Sequence, residues 1–280
     1  MTPVTDQSPE PDHKAAQNVD QFSGFADVYD RYRPAVPSVI VDILTRLAHV
    51  SRPALVIDLG CGTGLSTRVW AGRAESVIGI EPNADMRTEA ECRSVDLTGI
   101  RYQYGVSTTT GLPDGCADIV TVSQALHWME PTGTFAEIAR LLRPGGVFAA
   151  IDNDSPPLVD WEVERIEQAF MAHCRRISEQ HGIDYPGQLL RWQKHEHLER
   201  MTASGHFCYT REIAAHNIET GDADRLVGLA LSQSSIQELF KHGLNESDIG
   251  LPTFRSEASR ILGDGPHPFY FTYRIRIGVK

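Results

Sequence analysis

The sequence predicts an α/β fold, a mostly parallel β-sheet with helices on both faces. Three observations carry that expectation. Strand-like and helix-like segments alternate from about residue 36 to 154. The first strand-like run ends in a glycine-rich turn within VIDLGCGTGLST (residues 56–67), which leads straight into a helical segment. The chain finishes on an alternating run, PFYFTYRIRIGVK (residues 268–280), suited to an antiparallel strand that closes a sheet edge.

Taken in order, residues 36–49 carry apolar side chains at helical spacing, and 54–60 (ALVIDLG) are a short apolar run of the kind buried in a parallel sheet. Residues 65–73 read as the next helix, 76–82 (SVIGIEP) as a second strand ending in an acid, and 83–94 as a helix capped by Asn83. A third strand is expected at 100–106 and a fourth at 117–126 (ADIVTVSQAL). A helix follows at 134–146, closed by Pro-Gly-Gly, and then a fifth strand at 147–154. Residues 155–205 break the rhythm: they read as a helical insertion rich in polar and aromatic residues, with DYPG (184–187) as a turn. A strand at 206–218, helices to about 262 and the final strand bring the sheet to seven. The basic run YRIRIGVK reads as a strand with alternating exposed arginines rather than an RNA site.

Composition narrows the partners. The chain of 280 residues has 26 Lys plus Arg against 37 Asp plus Glu, a formal charge of −11. That balance repels phosphate backbones and argues against nucleic acid. No apolar run is long enough for a membrane span, and the polar N-terminus lacks the pattern of a signal peptide. Residues 1–20 read as a disordered tail. Five scattered cysteines (Cys61, Cys92, Cys116, Cys174, Cys208) without a CxxC fit reduced thiols in the cytoplasm. The expected assembly is a monomer or homodimer.

The glycine loop asks which ligand it serves. Gly60, Gly62 and Gly64 are spaced G-x-G-x-G, and Leu65 stands where a dinucleotide loop has its third glycine. Glu81 closes the next strand, 21 residues after Gly60, where a carboxylate can accept hydrogen bonds from ribose hydroxyls. No phosphate-loop lysine motif is present. Together these features point to a nucleoside ligand.

Several segments carry a resemblance. VIDLGCGTG, GIEPNADM, GLPDGCADIVTVSQALHW, AEIARLLRPGGVFA and the earlier FADVYDRYRP are similar, in order, to motifs of class I S-adenosylmethionine-dependent methyltransferases of the type 11, small-molecule branch. The resemblance spans roughly 22–152. It implies a Rossmann-like sheet, S-adenosylmethionine as cofactor and a small-molecule acceptor, either a small carboxylic acid or a secondary metabolite. It also implies site residues. Asp58, Gly60, Cys61, Gly62 and Gly64 match the motif that holds the methionine part of the cofactor. Glu81 matches the ribose acid, and Asn83 and Met86 match positions beside ribose and adenine. In GVSTTTGLP, Val106 and Thr108 replace polar and acidic residues of relatives, so Val106 and Ser107 are expected to meet the adenine through their backbones. Gln124 matches a position beside the cofactor, and Tyr29 and Arg33 an N-terminal cap, with Arg33 suited to the methionine carboxylate.

On the acceptor side, His127 and Trp128 follow the fourth strand, at the sheet edge where open α/β folds bind ligands. His127 is a candidate base or a satisfied neighbour of the site, and Trp128 a candidate pocket wall. Asp152, with Asp154 nearby, faces the same region. Aromatic residues of the later helices (Trp161, Phe170, Tyr185, Trp192, Phe240) fit either an apolar acceptor pocket or core packing. HEHLE (195–199) is read as a solvated helix face and not as a metal site, because positions i and i+2 do not share a face. A binding protein for S-adenosylmethionine or its product, without methyl transfer, stays open as the alternative function.

Overall fold

A computed structural model describes residue 19 and residues 21–183 and 192–280. The tail expected at 1–20, apart from Val19, lies outside the described residues, as do the DYPG turn and Tyr185. Seven strands form one sheet in the order β3-β2-β1-β4-β5-β7-β6. They are β1 (Leu55–Leu59), β2 (Ser76–Ile80), β3 (Ile100–Gln103), β4 (Ala117–Ser123), β5 (Leu142–Asn153), β6 (Tyr209–Gly221) and β7 (His267–Val279). The first five run parallel. The last strand, β7, is antiparallel to both of its neighbours, as the alternating tail implies.

Each face of the sheet buries its own helices. Side chains alternate across a strand, so neighbouring apolar residues of one run serve different cores. Ile57, Leu59, Val120 and Phe148 pack with Phe135 and Ile138 of α5 (Pro131–Leu141) and Met201 of α7 (His197–Ala203). Val56, Ile119, Ala149 and Ile275 pack on the other face. There they meet α2 (Ser38–Leu47), α6 (Trp161–Gln180), α8 (Ala223–Leu231), α9 (Ser234–Lys241) and α10 (Leu251–Leu262). Burying one such side chain stabilises the fold by about 1.5–3 kcal/mol. The one-turn α3 (Leu65–Arg68) follows β1, α4 (Ala84–Arg93) follows β2 and packs on β3, and α1 (Ala26–Tyr32) packs against α4 and α8. Among the described residues no helix is long and apolar enough to cross a membrane.

Several boundaries differ from expectation for local reasons. The helix after the glycine loop is one turn, Leu65–Arg68, not 65–73. The third strand stops at Gln103. The fourth stops at Ser123 because Gln124 turns to φ +55°, and residues 126–128 form a 3₁₀ turn instead of strand. Helix α5 starts early, because Glu130 caps it by accepting from the Thr132 and Gly133 N–H groups at 2.8 and 2.6 Å. It ends early as well, at Leu141, and residues 142–146 open β5. Pro144 disfavours helix at the residue before it and has no N–H to donate, so the chain turns extended at Leu142.

Candidate active site

The loop after β1 starts where β2 ends. Gly60 and Cys61 both donate their N–H to the Ile80 carbonyl, at 2.8 and 3.1 Å. Its three glycines hold φ of +65°, +55° and +82°, a region that side chains avoid. They serve different ends. A Cβ on Gly60 would strike Met129 and Ala125, at 2.7 and 2.8 Å, and one on Gly64 would strike the Tyr102 hydroxyl. A Cβ on Gly62 would meet nothing within 4 Å. Gly62 is therefore the glycine that borders open space, and the other two let the loop pack down.

Glu81, 8% exposed, follows β2 and reaches back to this loop. Its Oε2 accepts the Gly62 N–H at 2.9 Å and its Oε1 the Asn83 N–H at 2.9 Å. Burial pushes its carboxyl up, and these two bonds, with Arg87 nearby, oppose the rise. Asn83 caps α4 by accepting the Met86 N–H at 3.0 Å, and Met86 is buried in that first turn. Asp58 braces the loop from behind. Fully buried, it accepts from the Ser66 and Thr67 hydroxyls, each at 2.7 Å, and from Thr121 at 2.8 Å. Burial likewise raises its carboxyl against those three bonds. Cys61 is buried, and burial with two neighbouring carboxylates drives its thiol well above the ordinary range, so it stays protonated.

Thr63 is a residue that the sequence reading missed. Its hydroxyl is buried in the loop with no hydrogen-bond partner. The available signal was a hydroxyl between the second and third glycines, a position with access to whatever Gly62 faces.

The remaining expected residues fall on two sides. Arg33 lays its guanidinium over the Tyr29 ring at 5.1 Å and donates to the Ser232 carbonyl at 3.1 Å, while its buried Nε has no partner. Val106 is exposed, in a bridge with Thr109, and the Ser107 hydroxyl is engaged with Thr134 at 2.8 Å. Gln124 has both ends of its amide occupied: the nitrogen by Asn153, the oxygen by Lys194 at 2.7 Å. His127 is buried, its ring tilted on Trp128 and its carbonyl accepting the Trp192 N–H at 2.8 Å. Asp152 is gripped by Lys194 at 3.0 Å and by Arg276 at 2.7 Å.

Two expectations need correction. Arg276 is not an exposed strand arginine. It is 2% exposed and donates to Asp152 on one side and Glu212 on the other, while Arg274 is exposed beside Asp154. Similarly, HEHLE is not all solvated. His195 is exposed, but His197, the first residue of α7, is buried, and burial lowers its imidazole to about 4. Among the described residues no cluster of three metal-ligating side chains occurs.

Residues 57–150 match the family model described as a methyltransferase domain. This segment, which runs from β1 into β5, is thus similar to a methyltransferase domain. Over 140 residues the chain is 30% identical to an uncharacterized methyltransferase of Mycobacterium tuberculosis, covering 50% of this chain and 55% of that one. Over 139 residues it is 32% identical to a probable S-adenosylmethionine-dependent methyltransferase of Saccharomyces cerevisiae, covering 48% and 47%. The chain thus spans about half the length of the curated relatives it matches. The fold extends further than the sequence match. A putative type II methyltransferase of Anaeromyxobacter dehalogenans superposes with a TM-score of 0.64 at 22% identity, covering 89% of this chain and 98% of that one.

Proposed function

We propose that the chain binds S-adenosylmethionine along the carboxyl ends of β1, β2 and β4 and transfers its methyl group to a small-molecule acceptor. The observation that carries this reading is the pairing of Gly62 with Glu81. A glycine at positive φ faces open space, and a buried carboxylate reaches it from the end of the next strand. The residues fit the cofactor. Glu81 suits the ribose hydroxyls, and Asn83 and Met86 lie beside it. The unpartnered Thr63 hydroxyl and Arg33 Nε suit an anion such as the methionine carboxylate. The Val106 and Ser107 backbones border the adenine end, with Gln124 holding the turn after β4.

Bound there, S-adenosylmethionine supplies a methyl group already activated by its sulfonium. The protein's share of the work is then alignment and exclusion of water. Tyr29 and Arg33 cap one side of the cleft, and His127, Trp128 and Asp152 border the acceptor side. His127 stands where an acceptor hydroxyl would lose its proton. The net charge of −11 disfavours a nucleic-acid acceptor.

Calorimetry with S-adenosylmethionine, S-adenosylhomocysteine and NAD tests the cofactor. Binding of the two adenosyl ligands and not NAD is expected, and no adenosyl binding overturns the reading. Incubation of methyl-labelled cofactor with cell extract then tests transfer. A labelled small molecule supports it, whereas label only in protein or RNA overturns the acceptor class.

A further inference from the structure

Among the described residues the sheet ends on β6, which pairs with β7 on one side only. The strand runs for 13 residues in unbroken register. Folded proteins blunt such an edge with proline, lysine or a bulge, because its outer N–H and C=O groups pair readily with another strand. β6 has none of the three.

An exposed apolar row runs up to this edge. Leu158 bridges Tyr270 of β7, and Tyr270 stands opposite Ile218 of β6, so the three side chains share one face. They are 57%, 42% and 63% exposed. A contiguous exposed apolar patch marks a contact surface. The backbone shows which way the contact faces. Tyr270 donates its N–H to the Leu158 carbonyl at 2.9 Å and accepts the Leu158 N–H at 3.0 Å. Both of its backbone groups therefore point away from β6, which makes Tyr270 and Ile218 a non-hydrogen-bonded pair. The N–H and C=O of Ile218 accordingly point outward, off the edge of the sheet.

We propose that β6 pairs antiparallel with β6 of a second copy of this chain, with Ile218 on the two-fold axis. The proposal does not rest on the cofactor reading. In this register Ile218 exchanges both backbone bonds with the partner's Ile218. The row Leu158–Tyr270–Ile218 then meets its counterpart end to end, and one apolar stripe crosses both sheets. Residues 215–221 are self-complementary about the axis. His216 faces the partner's Thr220, and Asn217 faces the partner's Glu219. Glu219 is the one formally charged residue of this stretch, and Arg225 of α8 pairs with it, so no like charges are set opposite each other. Arg225 also donates to the Thr220 carbonyl at 3.0 Å, which leaves that oxygen a second lone pair for an N–H across the axis. A second copy is favoured over an unrelated strand because the two-fold axis itself supplies the matching row.

Sedimentation equilibrium of the full chain, without ligand, tests the surface. The wild type is expected at the mass of two chains. Ile218→Lys sets two like charges face to face at the axis, and the pair is expected to fall to single chains with unchanged circular dichroism. Ile218→Cys tests the register. Residues of a hydrogen-bonded pair lie about 5.5 Å apart at Cα, within disulfide reach. Mild oxidation is expected to link the two chains through position 218, and peptide mapping separates that bridge from any at the exposed Cys92 and Cys208. A wild type at any mass other than two chains, a dimer that survives Ile218→Lys, or an oxidised Ile218→Cys dimer without a bridge between the two 218 positions overturns the proposal.

Discussion

Glu81 is the residue on which the cofactor side turns. Its two oxygens each accept one backbone N–H, and a carboxylate retains further lone pairs for a ribose. Replacing it with alanine is expected to weaken S-adenosylhomocysteine binding by about 1.5–3 kcal/mol, the range for a charge-assisted hydrogen bond. Titration calorimetry of the folded variant checks this, and unchanged affinity would remove the ribose assignment. A second acid lies elsewhere and has a different consequence. Glu167, on the core-facing stripe of α6, has a buried oxygen without a partner, and burial with Glu164 nearby raises its carboxyl to about 7. The folded protein therefore keeps this proton between about pH 4.5 and 7, where the unfolded chain loses it. Proton uptake favours the folded state at low pH, so stability falls as pH rises through that window, by about 3 kcal/mol. Glu167→Gln should be more stable than wild type at pH 8 and nearly equal at pH 4.5. Urea titrations at the two pH values measure the difference, and a gap independent of pH refutes it.

At the scale of elements, the glycine loop separates two jobs that the motif presents as one. Gly62 borders open space and Gly60 is wedged against Met129 and Ala125, though both hold positive φ. Gly62→Ala should therefore cost only the backbone strain, about 1 kcal/mol, and lower cofactor affinity. Gly60→Ala adds a collision to the same strain and should lose clearly more stability. Thermal melts and probe binding on the two variants decide it, and equal melting temperatures would contradict the packing. This loop was legible in the sequence because its cause is local: a strand, a turn that needs positive φ, a helix start. The strands β1, β2 and β4 were legible for the same reason, as apolar runs buried on both faces. The ends of elements were less so. The start of β5 depends on Pro144 cutting α5 short, and the single turn of α3 on how the loop packs. On the acceptor side Lys194 had no local signal at all. It meets Gln124 from 70 residues away, a pairing that no window of the sequence contains.

At the scale of the whole molecule, the sheet order makes the last strand an interior one. β7 lies between β5 and β6, so the chain's final residues join two parts made much earlier. Arg276 sits at that join, buried, with Asp152 of β5 at 2.7 Å and Glu212 of β6 at 2.6 Å. Alternation alone assigns such a residue to solvent. Its burial follows from α7 covering this end of the sheet, with Met201 in the core and His197 beside the ion pair. Removing one member of a buried pair leaves the other charge uncompensated, at a cost of about 3–5 kcal/mol. Here the cost falls toward the lower end, because Lys194 still holds Asp152 and Glu212 is partly exposed. Arg276→Met is thus expected to lose about 3 kcal/mol, a large share of the roughly 5–15 kcal/mol that keeps a domain folded. Arg276→Lys, which keeps the charge but not the fork that spans both acids, should recover only part of it. Urea denaturation of the three proteins measures both steps. If Arg276→Met unfolds at the wild-type midpoint, the ion chain does not hold β7 between its neighbours, and the apolar faces of the last strand do so alone.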